Sequence, residues 1–289
     1  MTKFSVIIPT YNNSSELEIC LTSLVNQTYK DFEVIVINDG STEDYSWLMY
    51  NTMGININYI EIANSSGPAR PRNIGISKSV GEYICFLDSD DLWCPNYLES
   101  ILRHCESYDF LCTGAYLVRG PVKTKIIPRL KQKFPESILL KGNPIFTSSV
   151  TIRKDVIIQN KLSFNENKDF SSVEDLELWL RLFLTQKIRF KLLREALIYY
   201  KVDSESLSHK DCEGYIDKHK KLFKIFEGSI NIGKHEYYNY LKYILAVILL
   251  KNNKIIQGIS QVFEMKLLSR NGIILLLKYL VRISINSLK

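Results

Sequence analysis

The chain has 289 residues, enough for one large core or one core with a helical appendage, and its 46% hydrophobic, 24% charged composition excludes a disordered or low-complexity chain. A net charge of +6 is small for this length and does not favour a nucleic-acid binder. The six cysteines form no C-x-x-C pair and several sit in apolar segments, which predicts reduced, buried thiols and a cytoplasmic protein.

Met1-Thr2-Lys3 leads straight into the strand Phe4–Pro9, so no signal peptide is expected. A helix follows, with Asn13 as its cap, Glu16 three residues on, and Leu17, Cys20, Leu21, Leu24 and Val25 on one face. Phe32–Ile37 reads as a second strand closed by Asn38-Asp39-Gly40-Ser41, and Ile57–Ile62 as a third. Ala69–Lys78 is expected to be helical and Tyr83–Leu87 to be the fourth strand. Strands alternating with helices predict an α/β fold with a mainly parallel sheet, right-handed crossovers and ligands at the carboxyl ends of the strands. Pro9–Asn13, Asp39–Ser41 and Asp88–Asp91 are then expected on one rim.

Beyond that rim, Asn96–Cys105 reads as a helix, Phe110–Val118 as a strand and Gly120–Lys141 as a loop-rich connection. Ser172–Leu184 is an amphipathic pattern with Ser172 as its cap and Leu176, Trp179, Leu180 and Phe183 inward. Ile188–Leu193 and Ala196–Tyr200 look like two strands, and from about residue 211 the chain turns helical and Lys-rich.

Asp88-Ser89-Asp90-Asp91, directly after an apolar strand, places three carboxylates within four residues. Such a group repels itself and suits a hard divalent cation with a diphosphate completing the shell. An acidic turn capping the next helix is the plainer alternative.

Six ordered blocks resemble the family 2 glycosyltransferases, whose fold is GT-A. They are Ser5–Asn12, Ser23–Tyr29, Asp31–Ser41, Arg72–Gly75, Gly81–Asp91, and Glu174-Asp175 followed by Trp179. The resemblance covers roughly residues 4–205 and implies a catalytic domain over 1–210, with a basic helical region over 211–289 outside it. It implies an inverting transfer of a hexose (glucose, galactose or an N-acetyl derivative) from a UDP-sugar to a saccharide acceptor. Pro9, Thr10 and Tyr11 would line the uracil or ribose pocket, and Asp39 would accept from the uracil ring N–H. Arg72 would sit by the base or diphosphate. Arg70 and two prolines make that loop stiffer and more basic than the family's Ala-Arg-Asn pattern. Asp90 would bind Mn²⁺ or Mg²⁺ directly. Asp88, with Ser89 beside it, would hold the ribose or the metal, and His209 would add a metal ligand. Asp91, Glu174, Trp179 and Ser148 would face the donor or acceptor sugar, Trp179 being equally readable as core. Asp175 is the candidate general base, on the face opposite the leaving group. Acidic residues also favour helix starts for stability alone.

The longest apolar runs, near Ile244–Leu250 and Ile273–Leu277, fall far short of the ~20 residues that span a bilayer. Tyrosines 237, 238, 240, 243 and 279, with Lys242, Lys251, Lys254, Lys278, Arg282 and Lys289, suit two readings. One is a basic amphipathic surface on the inner face of the plasma membrane, bringing the site to an undecaprenyl-diphosphate-linked acceptor in O-antigen or capsule synthesis. The other is a helical bundle packed on the catalytic domain. A dinucleotide-binding oxidoreductase is disfavoured, because Pro9–Asn13 stands where Gly-x-Gly-x-x-Gly would be needed, and no P-loop is present. A non-catalytic sugar-nucleotide or carbohydrate binder of the same fold is the competing class.

Overall fold

The computed structural model describes residues 2–50, 54–128, 130, 143–185, 188–202 and 212–229, together with 237, 238, 241–243, 245, 246, 249, 260 and 261. The chain divides into two compact units, Met1–Phe134 with Asn143–Asp203, and Pro135–Gly142 with Ser204–Lys289.

The first unit is built on one sheet. Its strands are β1 (Phe4–Thr10), β2 (Phe32–Asn38), β3 (Ile57–Glu61), β4 (Tyr83–Phe86), β5 (Leu92–Trp93), β6 (Phe110–Arg119), β7 (Val122–Ile126), β8 (Thr151–Arg153) and β9 (Phe190–Lys201). The helices are α1 (Ser14–Val25), α2 (Ala69–Lys78), α3 (Tyr97–Cys105), α4 (Lys154–Gln159) and α5 (Glu174–Thr185). Strand order is β3-β2-β1-β4-β8-β6-β9-β5, with β7 paired to β6. The β3-β2-β1-β4 half is wholly parallel, as the alternation of strands and helices predicts. The other half is mixed: β8 runs antiparallel to β4 and β6, whereas β9 runs parallel to β6.

Every residue of β1 and β2 is buried, as expected of inner parallel strands covered on both faces. Pro9 is tolerated in this inner strand for a topological reason. Leu87 N–H donates to the Ile7 carbonyl, so residues 7 and 9 direct their backbone toward β4, and β4 ends at Phe86. The missing N–H of Pro9 therefore breaks no ladder bond. Helix α2 lies so close to β1 that a Cβ on Gly75 would come within 2.3 Å of an Ile7 methyl group. At the far end of the sheet, the buried Glu33 carboxylate accepts from Ser5 Oγ at 2.5 Å and from Val80 N–H at 2.7 Å, and Ser5 Oγ accepts from Gly81 N–H.

Several expectations need correction. The segment 190–201 is one strand, not two: register shifts beside Gly114 accommodate a bulge, which leaves Arg194 and Glu195 exposed and produces the polar break in the sequence pattern. Asn13 holds the N-cap position of α1 as expected, but its side chain makes no capping bond because it is engaged elsewhere. Ser172 has φ +72°, outside the extended backbone of an N-cap, and α5 begins two residues later. The expected loop after residue 120 contains β7. Cys20, Cys85, Cys94, Cys105 and Cys112 are free and buried.

In the second unit, α6 (Cys212–Phe226) buries Ile216, Leu222, Phe223 and Phe226. Phe223 stacks on Tyr237 with ring centroids 4.6 Å apart, and the Tyr237 hydroxyl lies 3.1 Å from His219 Nδ1. Tyr237 is fully buried there, so it is not a lipid-boundary residue. Tyr240, Tyr279, Lys251, Lys254, Lys278, Arg282 and Lys289 lie outside the described residues. No helix among the described residues is long and apolar enough to cross a membrane.

Candidate active site

The carboxyl ends of β1, β2 and β4 meet on one rim, because the parallel register sets Thr10 beside Asn38 and Ile7 beside Phe86. The loop after β1 is locked to the acidic loop after β4 by Asn13. Its Oδ1 accepts from Thr10 Oγ1 at 2.5 Å and its Nδ2 donates to Ser89 Oγ at 2.6 Å. Pro9, Thr10 and Ser89 are thus buried residues of the rim. Tyr11 is 52% exposed and supplies an open ring on that rim, as a base-stacking residue requires. Asp39, 4% exposed, uses Oδ1 to accept from Ser65 N–H and Ser65 Oγ, each at 2.8 Å. Gly40, at φ +70°, turns this corner where a Cβ would lie 2.6 Å from Asn64 N.

The acidic loop sorts its carboxylates by partner. Asp91 is fully buried, its Oδ2 accepting from Ser148 Oγ at 2.5 Å and its Oδ1 from Lys201 N–H at 2.9 Å. Burial and the neighbouring Asp90 and Asp88 charges push its carboxyl well above the usual range. Ser148 Oγ also accepts from Asp88 N–H at 3.1 Å. Asp91 and Ser148 therefore brace the loop from within, which corrects the expectation that they face a sugar. Asp88 remains 29% exposed and accepts from Arg72 Nη2 at 2.7 Å. Asp90 reaches the open rim, yet crowding by surrounding protein and then Asp88 pushes its carboxyl up to about 6.

Among the described residues, no three His, Cys, Asp or Glu side chains are grouped to hold a metal unaided. His209 lies outside the described residues. Asp90 and the open part of Asp88 instead offer two hard oxygen donors whose mutual repulsion a cation would relieve. That set fits Mn²⁺ or Mg²⁺, which can complete an oxygen shell with substrate phosphates.

Asp175, in the first turn of α5, accepts from Asn143 Nδ2 at 2.7 Å and Thr147 Oγ1 at 2.9 Å on one oxygen. The other accepts from Leu176 N–H at 2.6 Å. All its direct partners are neutral donors. Burial, then the adjacent Glu174, raises its carboxyl to about 6, with Arg72 opposing. Glu174 is 5% exposed and pairs with Arg72 Nη1 at 3.0 Å, so it faces an arginine and not a sugar. Trp179 is fully buried against Phe86, Phe110 and Phe164 and is core, not an acceptor platform. Burial opposes the charge of Arg72, but Asp88 and Glu174 more than offset it and raise its pKa. Of the two arginines in the basic loop, Arg72 is buried and Arg70 exposed. Sequence reasoning missed Asn143 and Thr147 as partners of Asp175, Ser65 as the partner of Asp39, and Asn13 as the tie between the two rim loops. Neutral amides and hydroxyls in loops carry no pattern that distinguishes them.

The family model "Glycosyl transferase family 2" matches residues 5–165, more than half of the chain. The chain belongs to glycosyltransferase family 2. It is 38% identical over 184 residues to an uncharacterised glycosyltransferase of Rickettsia bellii, covering 62% of this chain and 26% of that protein. It is 32% identical over 221 residues to the poly(ribitol-phosphate) beta-N-acetylglucosaminyltransferase TarP of Staphylococcus aureus, covering 72% of this chain and 66% of TarP. The chain thus spans about a quarter of the length of the first relative and just under two thirds of the second. Among solved structures, S. aureus TarS 1–349 in complex with UDP-GlcNAc matches with a TM-score of 0.63 at 22% identity, over 91% of this chain and 80% of that one. A Pyrobaculum calidifontis mannosyltransferase in complex with GDP-Man and Mn²⁺ matches with a TM-score of 0.61 at 14% identity, over 97% and 80%. These likenesses establish the GT-A fold of this family 2 glycosyltransferase chain.

Proposed function

We propose that this chain is an inverting, metal-dependent glycosyltransferase that moves a hexose from a UDP-sugar to a hydroxyl of a saccharide or polyol polymer. The observation that carries the reading is one arginine that joins an acidic loop open to the rim to Glu174, whose neighbour Asp175 is held only by neutral donors. Asp175, its carboxyl raised to about 6, is matched to accept a proton near neutral pH. It takes the acceptor hydroxyl's proton as that oxygen bonds the anomeric carbon and the anomeric C–O bond to UDP breaks. Asp90, with Asp88, would hold the divalent ion, which when bound neutralises the departing diphosphate. Tyr11 would stack on the uracil and Asp39 accept from its ring N–H, with Ser65 fixing the Asp39 carboxylate. UDP-GlcNAc is the first donor to test, since it is the sugar nucleotide in the TarS complex. The names of TarP and TarS support a polyol-phosphate polymer as acceptor. The basic C-terminal residues support an acceptor presented at the inner face of the membrane, including an undecaprenyl-diphosphate-linked one.

The test is UDP release with Mn²⁺, four UDP-hexoses and saccharide or polyol-phosphate acceptors. Asp175→Asn should lower transfer at least ~10²-fold while UDP affinity measured by calorimetry stays unchanged. An active Asp175→Asn protein would remove the base from this helix. Tight UDP binding without turnover on any acceptor would favour a non-catalytic binder.

A further inference from the structure

Arg72 occupies an unusual position. It is 4% exposed, and its guanidinium donates from one nitrogen to Asp88, 16 residues away, and from the other to Glu174, 102 residues away. The guanidinium carbon lies 5.2 Å from the centroid of the Phe164 ring. The next residue, Asn73, grips the Phe164 backbone both ways, accepting its N–H at 2.8 Å and donating to its carbonyl at 2.9 Å. The arginine is thus held from behind while its fork spans the donor loop and the base helix. The pair is not fully satisfied: Arg72 Nε and Glu174 Oε2 are buried without a hydrogen-bond partner. Unpaired buried polar atoms in such a network call for an explanation.

We propose that Arg72 and Glu174 form a positioning pair that fixes the spacing between the donor-side Asp88 and Asp175, and that Arg72 in this role does not ligate the diphosphate. The proposal rests on Asp175 being the base. A planar fork can bridge two carboxylates in a set direction, which a lysine ammonium cannot reproduce. Glu174 adjoins Asp175 in the first turn of α5, so releasing Glu174 lets that turn shift relative to the donor while the nucleotide-binding residues on β1, β2 and β4 stay in place.

The experiment measures kcat, KM for UDP-sugar, UDP affinity and melting temperature in Glu174→Gln and Arg72→Lys. Glu174→Gln should lower kcat at least ~10-fold, the effect of a small misalignment, with UDP affinity within about 2-fold of wild type. Arg72→Lys frees Asp88 as well, so it should lower kcat and also weaken UDP-sugar binding. If Glu174→Gln does not fold, Glu174→Asp, which keeps the charge, should show the same split at smaller amplitude. A folded Glu174→Gln enzyme with kcat within about 2-fold of wild type would overturn the proposal, as would equal losses of kcat and UDP affinity in that variant. The Asp175→Asn result separates the two failures: an inactive Asp175→Asn beside a fully active Glu174→Gln refutes the positioning pair alone.

Discussion

Asp88–Asp91 and Glu174-Asp175 present the same physical problem, adjacent carboxylates at the start of a structural element, and they resolve it differently. In the first run one member is withdrawn into the protein, where Ser148 and a backbone N–H hold Asp91. One is shared with an arginine, and Asp90 stays at the rim, where a cation can relieve it. In the second run the arginine takes Glu174, and Asp175 is left with amide and hydroxyl donors. The carboxylate beside the arginine is tied into an ion pair. One held by neutral donors next to another negative charge keeps its proton affinity. The difference in partners, not in residue type, divides the roles.

The largest expected effect breaks the first run at its outer member. Asp90→Ala should reduce transfer by on the order of 10³-fold, with little change in melting temperature, and a chelator should silence the wild type similarly. Activity that survives both would end the metal assignment. Asp91→Ala should do the reverse. It strips a partner from buried Ser148 and from the Lys201 N–H, at about 1–3 kcal/mol of stability each, measured by denaturant unfolding. Its loss of activity should be explained mainly by the unfolded fraction. The smallest effect sharpens the second run. With metal saturating, so that Asp90 remains ionised, kcat should rise with pH through about 6 as Asp175 loses its proton. Removing the Glu174 charge in Glu174→Gln should move that limb to lower pH, because a negative neighbour raises Asp175. A limb that stays in place would mean another group titrates.

Much of this was legible in the sequence. Continuous apolar runs gave β1, β2 and β4 because inner parallel strands have no solvent face to mark with polar residues. The rim followed from topology alone. The mixed half was harder: β8 is three residues long and β5 two, too short for any periodicity to register. Asp90 lies open on the rim and Asp175 in the first turn of its helix, as read from the sequence, although proximity in sequence misled for their neighbours. Asp91 and Glu174 sit in the expected blocks, yet their side chains, like that of Ser148, turn inward, and a one-dimensional pattern does not tell a carboxylate that meets substrate from one that braces its neighbour. Trp179, one turn after Asp175, faces the aromatic cluster because the helix buries that stripe.

The Glu33 contact at the opposite end of the sheet governs the height at which the rim loops arrive. A parallel strand that slides by two residues keeps every side chain on its own face, so hydrophobic patterning alone does not forbid the slip. Sliding β2 in this way would carry the buried Glu33 carboxylate away from Ser5 Oγ and Val80 N–H, stranding it without donors. One polar triangle thereby permits a single alignment of three strands. Asp39, Asn13 and the acidic loop are levelled against one another by a joint built at the sheet's other end.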